Sequence, residues 1–465
     1  MDELFDKPAE ECGVFGVWDS SRFDVAHDIY YGLLSLQHRG QEAAGIATCD
    51  TTGERGNICI HKDSGLVTEV FDSKTLDTLV GNIGIGHVRY STTGGGKPEN
   101  VQPIASYYLK GTLALVHNGN IVNCDELKHK LMEEGLTFKA TTDTEVIHAL
   151  IARERADAAS IEDAVKRSIP KLQGGYALII MSPRKLVAVR DPLGLKPLCI
   201  GRTETGYVLA SESCALRASG AEFIRDVKPG EIVTLSKHGL ASDETFCTSK
   251  QAHCVFEYIY FARLDSKIDG VSVYESRFKG GQALAEAYPV EADIVSGVPE
   301  SGMTAAAGYA DRSGIPFKQI FHKNSYVGRT FIKPTQKERE AAVHMKLSVL
   351  EDAVKDKRIV LIDDSIVRGT TMANLIKLLR NAGAKEVHVR ISSPPFLYPC
   401  FYGTDVPDNS QLIATHFPVD EICKRIGADT LGYMRIEDLA KTVEDLPVCM
   451  ACFNGDYPHE NKTNE

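Results

Sequence analysis

The string Arg358-Ile-Val-Leu-Ile-Asp363-Asp364-Ser365-Ile-Val-Arg368-Gly369-Thr370-Thr371 constrains this chain more than any other stretch. An apolar run suited to a strand covered on both faces ends in two adjacent acids, a Ser/Gly/Thr turn and then a helical pattern. Met372, Leu375, Leu378 and Leu379 share one face of that helix, Gly383 is placed to cap it, and residues 387–391 follow as another strand. Asp293-Ile-Val-Ser-Gly-Val298 repeats the scheme upstream, so this half reads as βαβ units on a parallel sheet. The turn after Asp364 sets backbone N–H groups and hydroxyls at the positive end of a helix, a cradle for a phosphate monoester. Two acids beside it would repel a second phosphate, so they suit vicinal sugar hydroxyls or a hydrated Mg²⁺. The lysine of a P-loop is absent. A bare acidic pair at a strand end also serves as a helix cap.

The first half follows a different pattern. Gly13-Val-Phe-Gly-Val17, Ile83-Gly-Ile-Gly-His87, Leu113-Ala-Leu-Val116, Ala177-Leu-Ile-Ile180 and Leu186-Val-Ala-Val189 are separated by Gly-rich turns and amphipathic segments, which predicts stacked antiparallel sheets flanked by helices. A chain of 465 residues exceeds what one core serves, so two domains are expected, over 12–248 and 249–465, with 1–11 as a leader. The net charge of −11 disfavours nucleic acid or an anionic membrane as partner. No apolar run approaches the roughly 20 residues of a membrane span, and the acidic start lacks a signal core. A cytoplasmic protein with free thiols is expected. The polar tail from Asp456 is expected to fray.

Cys12 opens Cys-Gly-Val-Phe-Gly-Val, and a cysteine there is by itself most often a small core residue. Other strings shift that: Ser35-Leu-Gln-His-Arg39-Gly-Gln-Glu, Gly86-His-Val-Arg89-Tyr-Ser, His117-Asn118-Gly119-Asn120, Thr142-Asp143-Thr-Glu145 and Arg190-Asp-Pro-Leu-Gly-Leu-Lys-Pro197. Together they resemble the class II glutamine amidotransferases, of N-terminal-nucleophile αββα fold. The resemblance implies removal of residues 1–11, after which the α-amino group of Cys12 serves as the base for its own thiol. It implies further that Arg89 and Asp143 hold the glutamine carboxylate and ammonium and that Asn118 and Gly119 form the oxyanion hole. Arg39 matches a family position near this pocket.

The string from Val360 to Thr371 resembles the 5-phosphoribosyl-1-pyrophosphate (PRPP) signature of type I phosphoribosyltransferases. Asp363 and Asp364 would then contact ribose hydroxyls, and Ser365, Arg368, Gly369, Thr370 and Thr371 the 5-phosphate. Cys449-Met-Ala-Cys452, with Cys254 and Cys400 far off in sequence, leaves zinc, redox chemistry and no function all open. With Phe256-Glu-Tyr-Ile-Tyr-Phe-Ala-Arg263 added, nearly the whole chain resembles the glutamine PRPP amidotransferase family, of the iron–sulfur type. That implies synthesis of 5-phosphoribosylamine at the first committed step of purine synthesis. It also implies a 4Fe-4S cluster on Cys254, Cys400, Cys449 and Cys452, with the other seven cysteines besides Cys12 as core filler. Mg²⁺ is implied near Ser301, Asp363 and Asp364, with purine-nucleotide inhibition and a homotetramer. Leu264, Glu300, Ser325 and His344 depart from the family pattern. Residues 323–346, where Lys323, Arg329, Lys333, Lys337, Arg339 and Lys346 outnumber Glu338 and Glu340, are expected to form a lid whose Lys346 binds PRPP. The competing readings are another class II amidotransferase and a non-catalytic regulator that binds PRPP or nucleotides.

Overall fold

Strands that are apolar on both faces need cover on both faces, and in the first half two antiparallel sheets cover each other. The computed structural model describes residues 12–52, 58–90, 97–324, 347–404, 406 and 408–459. One sheet has seven strands in the order Glu222–Asp226, Cys199–Arg202, Gly206–Ala210, Gly13–Asp19, Ile83–Arg89, Ala43–Cys49 and Ile58–Ser64. The other has six: Gly239–Asp243, Ile232–Ser236, Lys185–Arg190, Gly174–Ser182, Gly111–Ile121 and Ile104–Tyr108. Val14, Ile83 and Ile85 of the first meet Val116, Ile179 and Ala188 of the second in a shared buried core. The helix Val25–Ser35 covers the outer face of the first sheet through Ile29 and Leu33. It lies close because Gly84 and Gly86 carry no side chain: a Cβ there would stand 2.6 and 2.4 Å from Ile29. The helices Cys124–Glu133, Asp143–Asp157 and Ile161–Ser168 cover the second sheet. This is the expected αββα sandwich.

The second half is built on a four-stranded parallel sheet in the order Ile294–Gly297, Arg358–Asp363, Glu386–Ile391 and Thr430–Tyr433. Its strands are bulky and β-branched, and clusters on both faces bury them. The helix Thr370–Asn381 packs Met372, Leu375, Ile376 and Leu379 onto one face, and Gly383 follows at φ +88°. Leu378, expected on that face, is instead only half-buried, because the buried stripe runs through Ile376. The antiparallel pair Phe321–Lys323 and Leu347–Val349 stands at the root of the basic stretch, whose residues 325–346, Lys346 included, lie outside those described.

The first residues of the tail, 456–459, differ from expectation, and the rest lie outside the described residues. Tyr457 packs on Phe401 with ring centroids 5.0 Å apart and donates its hydroxyl to the Pro399 carbonyl at 2.7 Å. One aromatic ring with a polar tip anchors a segment whose composition reads as solvated. No helix among the described residues is long and apolar enough to cross a membrane.

Candidate active sites

Register brings the first constellation together. Gly13 pairs with Val88, so Cys12 lies beside the end of the strand that carries Arg89, and Ala43 of the next strand pairs with Arg89 itself. The Cys12 thiol is half-buried, 3.7 Å from the Tyr90 carbonyl. Arg39 reaches in from the turn after Val25–Ser35 and donates Nε to the Cys12 carbonyl at 3.2 Å. Its other nitrogens bond Glu212 at 2.6 Å and Glu257 at 2.5 and 3.0 Å. Arg39 is 1 % exposed, and the two carboxylates offset the cost of burying its guanidinium. Burial opposes charge on Glu212, but His38 and Arg39 outweigh it and hold the carboxyl well below the usual range.

The second sheet supplies the opposite wall. His87 of the Cys12 sheet meets the His117 carbonyl at 3.1 Å, which places Asn118 and Gly119 at the same end of the sandwich as Arg89. A carbonyl only accepts, so Nε2 of His87 carries the proton. Burial drives the His87 pKa down to about 3, so the ring stays neutral and adds no charge to the pocket. Gln102 ties down the His117 peptide on both sides, accepting its N–H at 2.6 Å and donating to its carbonyl at 3.2 Å. Asn118 is 1 % exposed, and its Nδ2 has no hydrogen-bond partner among the described residues. An orphaned buried donor is costly unless a ligand completes it. Gly119 sits at φ +135°, where a Cβ would stand 2.0 Å from the Gly175 carbonyl oxygen, so only glycine fits. Asp143 opens the helix Asp143–Asp157 and accepts the Ile121 N–H at 3.1 Å, with His117 Nδ1 3.5 Å from its other oxygen.

The second constellation stands at the carboxyl end of the parallel sheet, where open α/β sheets bind ligands. Asp363 ends its strand and accepts the Asp364 N–H at 2.9 Å, and Ser301 Oγ, from the turn after Ile294–Gly297, lies 3.5 Å from Asp363 Oδ1. Asp364 is fully buried and accepts the Ser365 hydroxyl at 2.5 Å. Gly369 caps the N-terminus of Thr370–Asn381, so residues 365–369 form a turn that leads into the start of a helix, as a phosphate cradle needs. Arg368 is exposed and leans on Gln411, 3.1 Å away. Arg277 was not foreseen. It donates to the carbonyls of Tyr258, Tyr260 and Ala262 at 2.7–2.9 Å, and burial lowers its pKa to about 10 against the pull of Asp364. Of the departing positions, Glu300 is exposed and pairs with Lys323 at 3.3 Å, a contact worth little, and Leu264 is exposed. Ser325 and His344 lie outside the described residues.

Cys254, Cys400, Cys449 and Cys452 line one cavity, with Phe256, Phe396, Tyr402 and Tyr457 among its walls. Two short strands pair in parallel with Cys254 opposite Cys449, and Cys452 follows one turn later in the helix Ala451–Asn454. Burial pushes the Cys449 thiol up to about 12 and that of Cys452 up as well. None of the twelve cysteines, all of them described, is in a disulfide. Among the described residues, no three His, Cys, Asp or Glu side chains converge as a single metal ion needs.

Residues 87–218 match the model of a glutamine amidotransferase domain and residues 281–392 that of a phosphoribosyl transferase domain. The chain is 48% identical over 464 residues to the amidophosphoribosyltransferase of Methanocaldococcus jannaschii, covering 97% of this chain and 98% of that one. A structure described as the allosteric regulatory enzyme of purine biosynthesis superimposes with a TM-score of 0.90 at 46% identity, covering 97% of each chain. The glutamine PRPP amidotransferase of Bacillus subtilis, complexed with ADP and GMP, does so with a TM-score of 0.90 at 45% identity over 98% of this chain and 99% of that one. Relatives that carry both halves in one order over nearly their whole length leave no room for a lone glutaminase or a lone nucleotide-binding module: the chain belongs to the amidophosphoribosyltransferase family.

Proposed function

We propose that the family reaction, glutamine, PRPP and water to 5-phosphoribosylamine, glutamate and pyrophosphate, is divided in this chain between the two constellations. At the first, the Cys12 thiol attacks the glutamine amide and its freed α-amino group carries the proton to the departing ammonia. Water then releases glutamate from the thioester. Arg89 and Asp143 hold the substrate's carboxylate and ammonium, and Asn118 Nδ2 with the Gly119 N–H receives the oxyanion. The observation that carries this reading is the buried Asn118 Nδ2, without a partner among the described residues, at the same end of the sandwich as Cys12. Asn118→Ala is expected to lower the turnover number for glutamine hydrolysis by roughly 10²- to 10³-fold at unchanged KM for glutamine. A rise in KM at unchanged turnover would instead make Asn118 a substrate-binding residue.

At the second constellation ammonia attacks C1 of PRPP as the C1–O bond to pyrophosphate breaks. Asp363 and Asp364 accept the ribose hydroxyls, the cradle of Ser365, Arg368, Gly369, Thr370 and Thr371 holds the 5-phosphate, and Lys346 is assigned to PRPP binding on the family resemblance. The Asp363, Asp364 and Ser301 oxygens suit a hard cation that keeps several waters, and Mg²⁺ held there would offset charge on the departing pyrophosphate. Ammonia must cross without gaining a proton, which calls for an apolar path between the sites.

A zinc ion needs its sulfurs within roughly 2.3 Å of one point, whereas a cubane is held by thiolates spread around a larger body. The four cysteines line one cavity, and together with the family resemblance this supports a 4Fe-4S cluster on Cys254, Cys400, Cys449 and Cys452. Anaerobically purified protein is expected to be brown, with about four iron and four sulfide per chain, and to bleach in air. Colourless, active protein with one zinc per chain would contradict this. Purine nucleotides are proposed as inhibitors on the strength of the ADP and GMP bound by the Bacillus subtilis relative. A cytoplasmic homotetramer is proposed on the family resemblance.

A further inference from the structure

The strand that carries Asn118 and Gly119 is braced from outside its own domain. Asn120 Nδ2 donates to the Phe401 carbonyl at 2.9 Å. Gly403 approaches so closely that a Cβ there would stand 2.9 Å from the carbonyl carbon of Gly119, 3.0 Å from its Cα and 3.2 Å from the Asn120 nitrogen. Its φ of +107° is a further bar to any side chain. The Tyr402 carbonyl lies against Gly175, whose own carbonyl sits over Gly119. The same segment is anchored at its start in the four-cysteine cavity, where the Tyr402 N–H points to Cys400 Sγ at 3.4 Å and the Tyr402 ring forms part of the wall.

We propose that residues 401–403 are a positioning bracket for the oxyanion hole, linking the four-cysteine cavity to glutamine cleavage. The inference rests on the assignment of Asn118 and Gly119 to that hole. Oxyanion donors act only when aimed within a few tenths of an ångström, so a small displacement of Gly119 costs rate without costing substrate affinity. The bracket reaches the strand through Gly119, Asn120 and Gly175, apart from Arg89 and Asp143, the proposed substrate holders.

Gly403→Ala and Asn120→Ala test the bracket from its two sides, with Cys12→Ala in parallel. Glutamine hydrolysis, synthesis from ammonium salt, the rate of Cys12 alkylation by iodoacetamide and iron content are measured on each. Both bracket variants are expected to lose at least about tenfold in glutaminase turnover at unchanged glutamine KM. Ammonia-supported synthesis, alkylation and iron content should stay at the parent level. Unchanged turnover in both variants overturns the bracket, as does a parallel loss of glutamine- and ammonia-dependent activities, which would signal general damage. A Cys12→Ala variant that still hydrolyses glutamine would overturn the underlying site assignment instead.

Discussion

With Cys12 replaced by alanine, synthesis from glutamine is expected to fall by at least about 10⁴-fold while synthesis from added ammonium salt continues. Neither His87 nor Asp143, described titratable groups at that end of the sandwich, can take over the attack. His87 is enclosed and spends its proton on the His117 carbonyl, and Asp143 is engaged with Ile121 and His117. The ammonia-dependent half survives because its residues stand on another sheet with a separate core. Alanine in place of a half-buried thiol removes little packing, so folding should not confound the result. Loss of both activities in a folded variant would contradict the division of labour between the sites.

Asp363→Asn and Asp364→Asn are expected to act in the opposite sense, weakening PRPP use while leaving basal glutaminase intact. A charged acceptor contributes roughly 1.5 to 3 kcal/mol per bond, so each change should lower kcat/KM for PRPP by roughly 10- to 150-fold. Asp364→Asn should be the worse of the two. Its carboxylate offsets the buried Arg277 guanidinium, which holds the carbonyls of residues 258–262, so this variant should also lose thermal stability. PRPP titration of initial rates, with a melting curve for each protein, checks both parts. Equal PRPP dependence in parent and variants would refute the assignment of the acids.

What was legible in the sequence was local. The run Arg358–Asp363 is a strand with the bounds its apolar stretch suggests, and the turn after it leads into a helix because Gly369 and the two threonines favour that start. The five apolar stretches of the first half all fall in strands, since each is bounded by turn-forming residues. The resemblance supplied the members of each site, and the structure brings Cys12, Arg89, Asn118, Gly119 and Asp143 to one end of the sandwich. What escaped is tertiary. Arg39 meets Glu212 and Glu257, 173 and 218 positions away, and Asn120 meets Phe401, 281 away. Solitary acids in unremarkable strings carry no local mark of such pairing. The strand order could not be read either, because Gly13–Asp19 lies between Gly206–Ala210 and Ile83–Arg89, both distant along the chain. The leader 1–11 and the basic lid fall outside the described residues, so neither expectation is met or refused by the fold.

The most direct test of two coupled sites in one chain is the source of the product nitrogen. Amide-¹⁵N glutamine is supplied with PRPP, Mg²⁺ and excess unlabelled ammonium at a pH where both substrates support synthesis, and the label in 5-phosphoribosylamine is measured by mass spectrometry after trapping. Ammonia made at Cys12 and used at the Asp363 turn without escape predicts product that carries the glutamine label almost entirely, and unlabelled product from Cys12→Ala. Label diluted in proportion to the bulk ammonium would contradict the account.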